Sequence, residues 1–141
     1  MNPTHLADQT AAAVAHARSA VRTVGQCHGG RVADTAAAPW VRGQAAELLA
    51  AIAEDRADIC PHIGANPTVV FAAAWKPLAV YCGACAPDLL AIGAAEDYTC
   101  DRCRRRVKQI RPGLVAIGAI VYNFGLCSQC AEDQNTNKGA A

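Results

Sequence analysis

Aromatic side chains are scarce in this chain, with two Trp, three Tyr and two Phe, 5% of its 141 residues. Much of its apolar content is Ala and Val instead. One domain, or two very small ones, built on side chains of that size would be marginal without reinforcement. A charge imbalance is also missing. Thirteen basic and twelve acidic residues give a net charge of +1, so no global field recruits nucleic acid or an anionic membrane. Long hydrophobic runs are absent as well. The longest, Gly113 to Tyr122, is too short to span a bilayer and Gly118 interrupts it. Residues Met1 to Leu6 lack the basic start and apolar run of a signal peptide. The expectation is a cytoplasmic protein with no membrane partner. In a reducing compartment, closely spaced cysteines read as metal ligands or redox motifs rather than as disulfides. No phosphate loop, no Gly-x-Ser-x-Gly turn and no His-x-Glu ahead of a cysteine pair is present. The sequence therefore offers no catalytic residue, and neither an enzyme nor a small-molecule substrate is expected.

What the chain does have is cysteine, eight in all. Seven of them join His62 in four pairs: Cys60-Pro61-His62, Cys82-Gly83-Ala84-Cys85, Cys100-Asp101-Arg102-Cys103 and Cys127-Ser128-Gln129-Cys130. A two-residue gap lets two thiolates reach one tetrahedral ion while backbone N–H groups turn toward the sulfur. A helix starting at the pair adds the positive end of its dipole. The gaps between pairs, 19 residues from His62 to Cys82 and 23 from Cys103 to Cys127, each suit a β-hairpin. The segments around Cys82–Cys85 and Cys127–Cys130 also match in form, each with an acidic segment following the pair. Each half thus reads as ligand pair, hairpin, ligand pair, helix start.

This arrangement resembles the zinc-ribbon and treble-clef superfamily over about Cys60 to Asp133. The resemblance implies two structural Zn2+ ions, one held by Cys60, His62, Cys82 and Cys85, the other by Cys100, Cys103, Cys127 and Cys130. The Cys-x-His pair departs from the usual Cys-x-x-Cys and makes His62 the weakest member of the set. Sequential, cross-braced and nested pairings all remain open, and sequential pairing explains the repeat directly. Four thiolates also suit iron. Tyr81-Cys82-Gly83-Ala84-Cys85 looks locally like a thioredoxin active site, but the βαβ order around it is missing, so a redox protein is only a minor alternative. Cys27 lies in a linker without further ligands nearby and reads as a free or buried thiol.

The remaining segments give the frame. Residues 4 to 24 read as a helix with Leu6, Ala13, Ala17, Val21 and Val24 near one face and Gly25 as its stop. A second helix is expected over about Pro39 to Asp58, with Ala45, Leu48, Ile52 and Ile59 as its stripe. Strands are expected at Thr68 to Ala72, Ala79 to Tyr81, Arg104 to Ile110 and Leu114 to Tyr122, with turns at Lys76-Pro77-Leu78 and Arg111-Pro112-Gly113. A short helix is expected between Pro87 and Glu96. The fold expected is α+β: an N-terminal helical hairpin (1–58), then a two-metal module (59–133) of two tandem zinc-ribbon or treble-clef units (59–98 and 99–133), then a disordered tail (134–141).

Two functions suit such a frame. Arg102, Arg104, Arg105, Arg106, Lys108 and Arg111 are nearly half of the basic residues within ten positions. On a strand, Arg104, Arg106 and Lys108 would share a face able to track the phosphates of DNA or RNA. The same cations could instead offset the charge of a four-thiolate site. Few aromatics are at hand to stack bases, Trp40 and Trp75 being the candidates. The first expectation is therefore a zinc-binding, nucleic-acid-associated accessory or regulatory protein. The second is an adaptor whose metals are scaffolding and whose N-terminal helices bind a protein partner or form a homodimer.

Overall fold

The computed structural model describes residues 3–28, 31–32, 39–91 and 93–136. The order of elements is α1 (Pro3–His28), β1 (Arg31–Val32), α2 (Pro39–Ala53), β2 (Asp58–Ile59), β3 (Val70–Ala73), β4 (Lys76–Cys82), α3 (Ala86–Leu90), α4 (Ala94–Asp97), β5 (Arg111–Ile117), β6 (Ile120–Leu126) and α5 (Ser128–Thr136). The class is α+β, as the sequence suggests. The strands form one six-stranded mixed sheet in the order β1-β5-β6-β3-β4-β2.

Two antiparallel hairpins, β3–β4 and β5–β6, supply the centre of the sheet, and β3 and β6 join them in parallel. Both turns lie away from the proline signals. Ala73 faces Lys76, so the first turn is Ala74-Trp75, and Pro77 lies inside β4 at an exposed position. Ile117 faces Ile120, so the second turn is Gly118-Ala119, and Pro112-Gly113 begins β5 instead of ending a strand. Gly118 has φ +57°, which suits the first central position of a two-residue hairpin turn. The expected strand Arg104 to Ile110 is replaced by an irregular segment with a single antiparallel bridge, Thr99 to Arg106.

Alternation along β6 decides the packing. Ile120, Tyr122, Phe124 and Leu126 point to one face, where Val41 and Leu48 of α2 cover them with Ala72, Val80 and Val115. Val121 points to the other face, where Ala17 and Val21 of α1 meet it with Phe71, Leu114 and Ala116 around them. The two N-terminal helices thus lie on opposite faces of the sheet, and the expected helical hairpin does not form. Each spends its apolar stripe on strands from the second half of the chain. Of the expected stripe, Leu48 is 1% exposed and Ile52 is half-buried, while Ile59 lies beyond the helix in β2 and is exposed, as is Leu49 beside the stripe.

Helix boundaries differ from expectation for local reasons. The helix α1 runs through Gly25 to His28, so Cys27 lies on a helix backbone and not in a linker. The helix α2 stops at Ala53, before Asp55 takes φ 58° and the chain turns toward β2. The single helix expected from Pro87 to Glu96 is two short ones. The helix α5 starts at Ser128 and reaches Thr136, into the expected tail, of which 137–141 lie outside the described residues. No helix among the described residues is long and apolar enough to cross a membrane.

Few large side chains fill the main core, and Phe124 is central to it. Trp40 meets its ring edge-on, with centroids 6.0 Å apart. Phe124 also lies across the sheet from Gly113, and a Cβ at Gly113 would run into its ring. Gly113→Ala should therefore cost about 1–3 kcal/mol, since the ring has to leave its place over the strand. Urea unfolding of the metal-loaded protein checks this, with Ala116→Gly on the same strand as a comparison for backbone effects alone.

Candidate metal centres

Two ligand clusters form, and each takes its members from consecutive pairs. Cys60, His62, Cys82 and Cys85 place their donor atoms within 4.8 Å of one another, and so do Cys100, Cys103, Cys127 and Cys130. Of the three pairings the sequence leaves open, the observed grouping is the sequential one.

In the first cluster, the edge strand β2 delivers Cys60. Its N–H donates to the Val80 carbonyl (2.8 Å), and the turn closes as the Ile63 N–H reaches the Cys60 carbonyl (3.0 Å). The strand β4 ends at Cys82, and the Cys85 N–H donates back to the Cys82 carbonyl (3.1 Å) just before α3 starts at Ala86. The second cluster follows the same order. A knuckle at Cys100 is closed by Cys100 N–H to the Arg105 carbonyl (3.0 Å) and Arg104 N–H to the Cys100 carbonyl (2.9 Å). The hairpin β5–β6 follows, and Cys127 and Cys130 flank the first turn of α5. The Cys130 N–H lies 3.5 Å from the Cys127 sulfur.

The donor spacing suits a tetrahedral ion. The Cys60 sulfur is 3.8 Å from that of Cys82, 3.6 Å from that of Cys85 and 3.2 Å from His62 Nδ1, and Cys85 is 3.3 Å from the same nitrogen. In the second cluster Cys103 and Cys127 are 3.9 Å apart. Four sulfurs each about 2.3 Å from a central metal would be about 3.8 Å apart, whereas a disulfide requires about 2.05 Å. Each cluster can hold one metal ion, and its four protein donors complete such a shell.

The clusters lie at opposite ends of the sheet. Val70 pairs with both Cys82 and Ile120, so the end of β4 is level with the start of β6. The second cluster is at the far end of β6, six residues on, or about 20 Å along the strand.

Electrostatics within the clusters spreads the thiols apart. Backbone N–H groups of His62 and Cys82 point at Cys60 and hold its thiol down at about 6. The Arg105 guanidinium does the same for Cys103, also to about 6, with Nε 3.4 Å from the sulfur. Cys85 is pushed up to about 12 by hydrogen bonding to Cys60 and then Cys82, and burial pushes Cys130 up to about 12. Several neighbouring sulfurs cannot all carry charge unless a cation lies among them.

Sequence spacing alone did not mark Asp101 or Gln129 as supporting residues, whereas Arg105 belongs to the basic segment weighed there. Asp101 exchanges two hydrogen bonds with Gly125. Its Oδ2 accepts from the Gly125 N–H at 2.6 Å, and its own N–H donates to the Gly125 carbonyl at 2.9 Å. This ties the second knuckle to β6, and burial raises the carboxyl of Asp101 above its ordinary value. Arg105 reaches past Cys103 to Gln129 Oε1 (2.8 Å), bridging the two ligand pairs. The only available signal was position, since Asp101 and Gln129 lie between ligands.

The basic segment is divided in its commitments. Arg104 has φ 60° and pairs with Glu96 (2.9 Å) and more loosely with Asp101 (3.7 Å). Arg105 is held by Cys103 and Gln129. Arg102 is half-buried, and its Nη1 is buried without a hydrogen-bond partner. Arg106, Lys108 and Arg111 are exposed and make no ion pair among the described residues. The shared strand face expected of Arg104, Arg106 and Lys108 does not exist, because the segment is not a strand. Neither tryptophan is a free stacking platform: Trp40 packs on Phe124, and Trp75 Nε1 donates to the Leu89 carbonyl at 3.0 Å. No protein-family model, curated protein or solved structure matches the chain.

Metal binding has to displace protons from thiols, so affinity falls as pH falls. The backbone donors at Cys60 and the Arg105 guanidinium at Cys103 favour the thiolate there, down to a pH of about 6, whereas hydrogen bonding at Cys85 and burial at Cys130 favour the thiol. Below a pH of about 6, Cys60 and Cys103 also take up protons. The slope of log affinity for Zn2+ against pH should then steepen by about one proton per site. Competition titrations with a chromophoric chelator from pH 5 to 8 measure this. Arg105→Ala should move the break for the second site to higher pH and leave that of the first in place. Separately, Asp101→Ala should destabilise the loaded protein by about 1–3 kcal/mol, because it leaves the buried Gly125 N–H without its acceptor. Thermal unfolding is the check, and Asp101→Asn should recover part of the loss.

Proposed function

We propose that this chain is a non-enzymatic zinc protein whose two metals are structural and whose basic segment contacts a nucleic-acid backbone. Zinc is favoured by the donor sets, three sulfurs with one imidazole nitrogen and four sulfurs, and by hairpin-length gaps between ligand pairs. Two treble-clef-like units sharing one sheet are the corresponding description of the fold. Four protein donors per cluster leave no position for a reacting water, which argues against catalysis at either metal. Zinc at such sites contributes on the order of 10 kcal/mol to folding, which suits a chain with so few large core residues.

The observation that carries the functional reading is the open trio Arg106, Lys108 and Arg111 beside a braced knuckle. Arg105, against the Cys103 sulfur, fits the charge-offsetting role weighed from the sequence, and Arg104 is committed to Glu96 and Asp101. The trio has no such employment and is free to meet phosphates. An accessory or regulatory role is the reading that suits a metal-braced frame with three exposed cations.

Metal analysis of native protein should give two zinc ions per chain, and one or none would remove the two-site reading. Fluorescence anisotropy with labelled DNA and RNA across a salt series tests the contact. Replacing Arg106, Lys108 and Arg111 by Ala should flatten the log–log salt slope by about 0.7–0.9 per lost phosphate contact. Arg104→Ala should leave the slope unchanged, because its guanidinium is committed to Glu96. Absence of binding at low salt, or binding that the triple variant does not alter, would overturn the nucleic-acid contact.

A further inference from the structure

The eight ligands do not share one environment. In the second cluster Cys100, Cys127 and Cys130 are 0%, 4% and 6% exposed and belong to the main core with Leu48, Tyr122 and Phe124. Its fourth ligand, Cys103, is the open residue of the set and has the Arg105 guanidinium against its sulfur. As whole residues the ligands of the first cluster are more open: Cys60, Cys82 and Cys85 are half-buried and His62 is exposed, although the donor of Cys60 is itself enclosed. The elements that hold it are slight. They are the two-residue edge strand β2 and the five-residue helix α3, with Gly83 and Ala84 open to solvent between two of the sulfurs.

We propose that the first cluster is a peroxide-reactive zinc–thiolate centre, whose metal is expelled when Cys60 and Cys85 form a disulfide while the second cluster keeps its metal. This rests on the zinc reading above and is independent of any nucleic-acid contact. Accessibility and ligand type carry the proposal. A disulfide needs two sulfurs free to move: in the second cluster Cys103 is open, but every sulfur that could resolve it is fixed in the packed core, whereas in the first cluster both Cys85 and its partner belong to half-buried residues on slight elements. The sulfurs of Cys60 and Cys85 are 3.6 Å apart, so they have to close by only about 1.6 Å to reach disulfide length. The electron balance is simple. One thiolate attacks the peroxide O–O bond, giving a sulfenic acid and one hydroxide. The second thiolate attacks that sulfur, forming the S–S bond and releasing a second hydroxide. Two thiolates are oxidised by two electrons in all, and one peroxide is reduced. Cys82 and His62 are then the only donors left, too few to retain zinc. Loss of the ion frees the turn at Cys60–Ile63 and the start of α3. The shared core around Tyr122 and Phe124 keeps its own metal and stays closed.

The test is native mass spectrometry of the purified two-zinc protein, and of its Cys27→Ser variant, titrated with hydrogen peroxide. The expected product has one zinc and is two hydrogens lighter than the reduced one-zinc protein. Proteolytic mapping should place the disulfide on the Cys60 and Cys85 peptides, with native alkylation at Cys82 and none at Cys100, Cys127 or Cys130. Far-UV circular dichroism should change little, and dithiothreitol with added Zn2+ should restore the two-zinc mass. Simultaneous loss of both ions overturns the proposal. So does first loss from the second cluster, or retention of both ions at peroxide levels that oxidise free cysteine. Protein that carries no zinc when purified would instead remove the zinc reading on which the proposal stands.

Discussion

Four donor atoms within 4.8 Å, three or all of them sulfur, cannot all be ionised together without a cation among them. The rest of the fold depends on that constraint. The knuckle at Cys60 brings β2 to the edge of β4, and the knuckle at Cys100 is tied to β6 through Asp101 and Gly125. Each ligand pair that follows a hairpin also lies where a short helix begins. The two ligand clusters therefore lie at the starts and ends of elements too brief to be stable by themselves. The two clusters hold opposite ends of one sheet, so neither substitutes for the other.

Between those ends the sheet relies on close packing of small residues. Ala17 and Val21 let α1 approach Val121 on one face, and Val41 and Leu48 bring α2 against Tyr122 and Phe124 on the other. A core with so few aromatics gains its density from proximity, not from side-chain bulk. This explains why an N-terminal half rich in Ala does not form a unit alone. Its two helices have complementary surfaces only where β5, β6, β3 and β4 provide them.

The ligand set was legible in the sequence because the geometry of a one- or two-residue gap is local. The order of ligand pair, hairpin, ligand pair and helix was legible for the same reason, as was the α+β class. Turn positions were not. Pro77 and Pro112-Gly113 carry strong local turn signals, yet alternation of Val115 and Ile117 against Ile120 and Tyr122 sets the second turn at Gly118-Ala119. Gly25 likewise reads as a helix stop, and the helix continues past it. The basic segment failed as a strand because the knuckle at Cys100 turns the chain through Arg104 in a left-handed conformation. Nor does any local pattern reveal that α1 and α2 take opposite faces, since each stripe is equally suited to either side of a sheet.

The parallel pairing of β3 with β6 carries a consequence for how the chain is made. During synthesis β3 and β4 leave the ribosome first, and the ligands Cys60 to Cys85 emerge together with them. The inner edge of β3 then has no neighbour until residues 120 to 126 appear, some fifty positions later. Over that interval its row of unpaired N–H and C=O groups is open to any other extended chain nearby. Arrival of β6 closes this edge, covers α1 from beneath and completes the floor under α2 in one step. The last strand added is thus the one that turns two separate nascent hairpins into a single body.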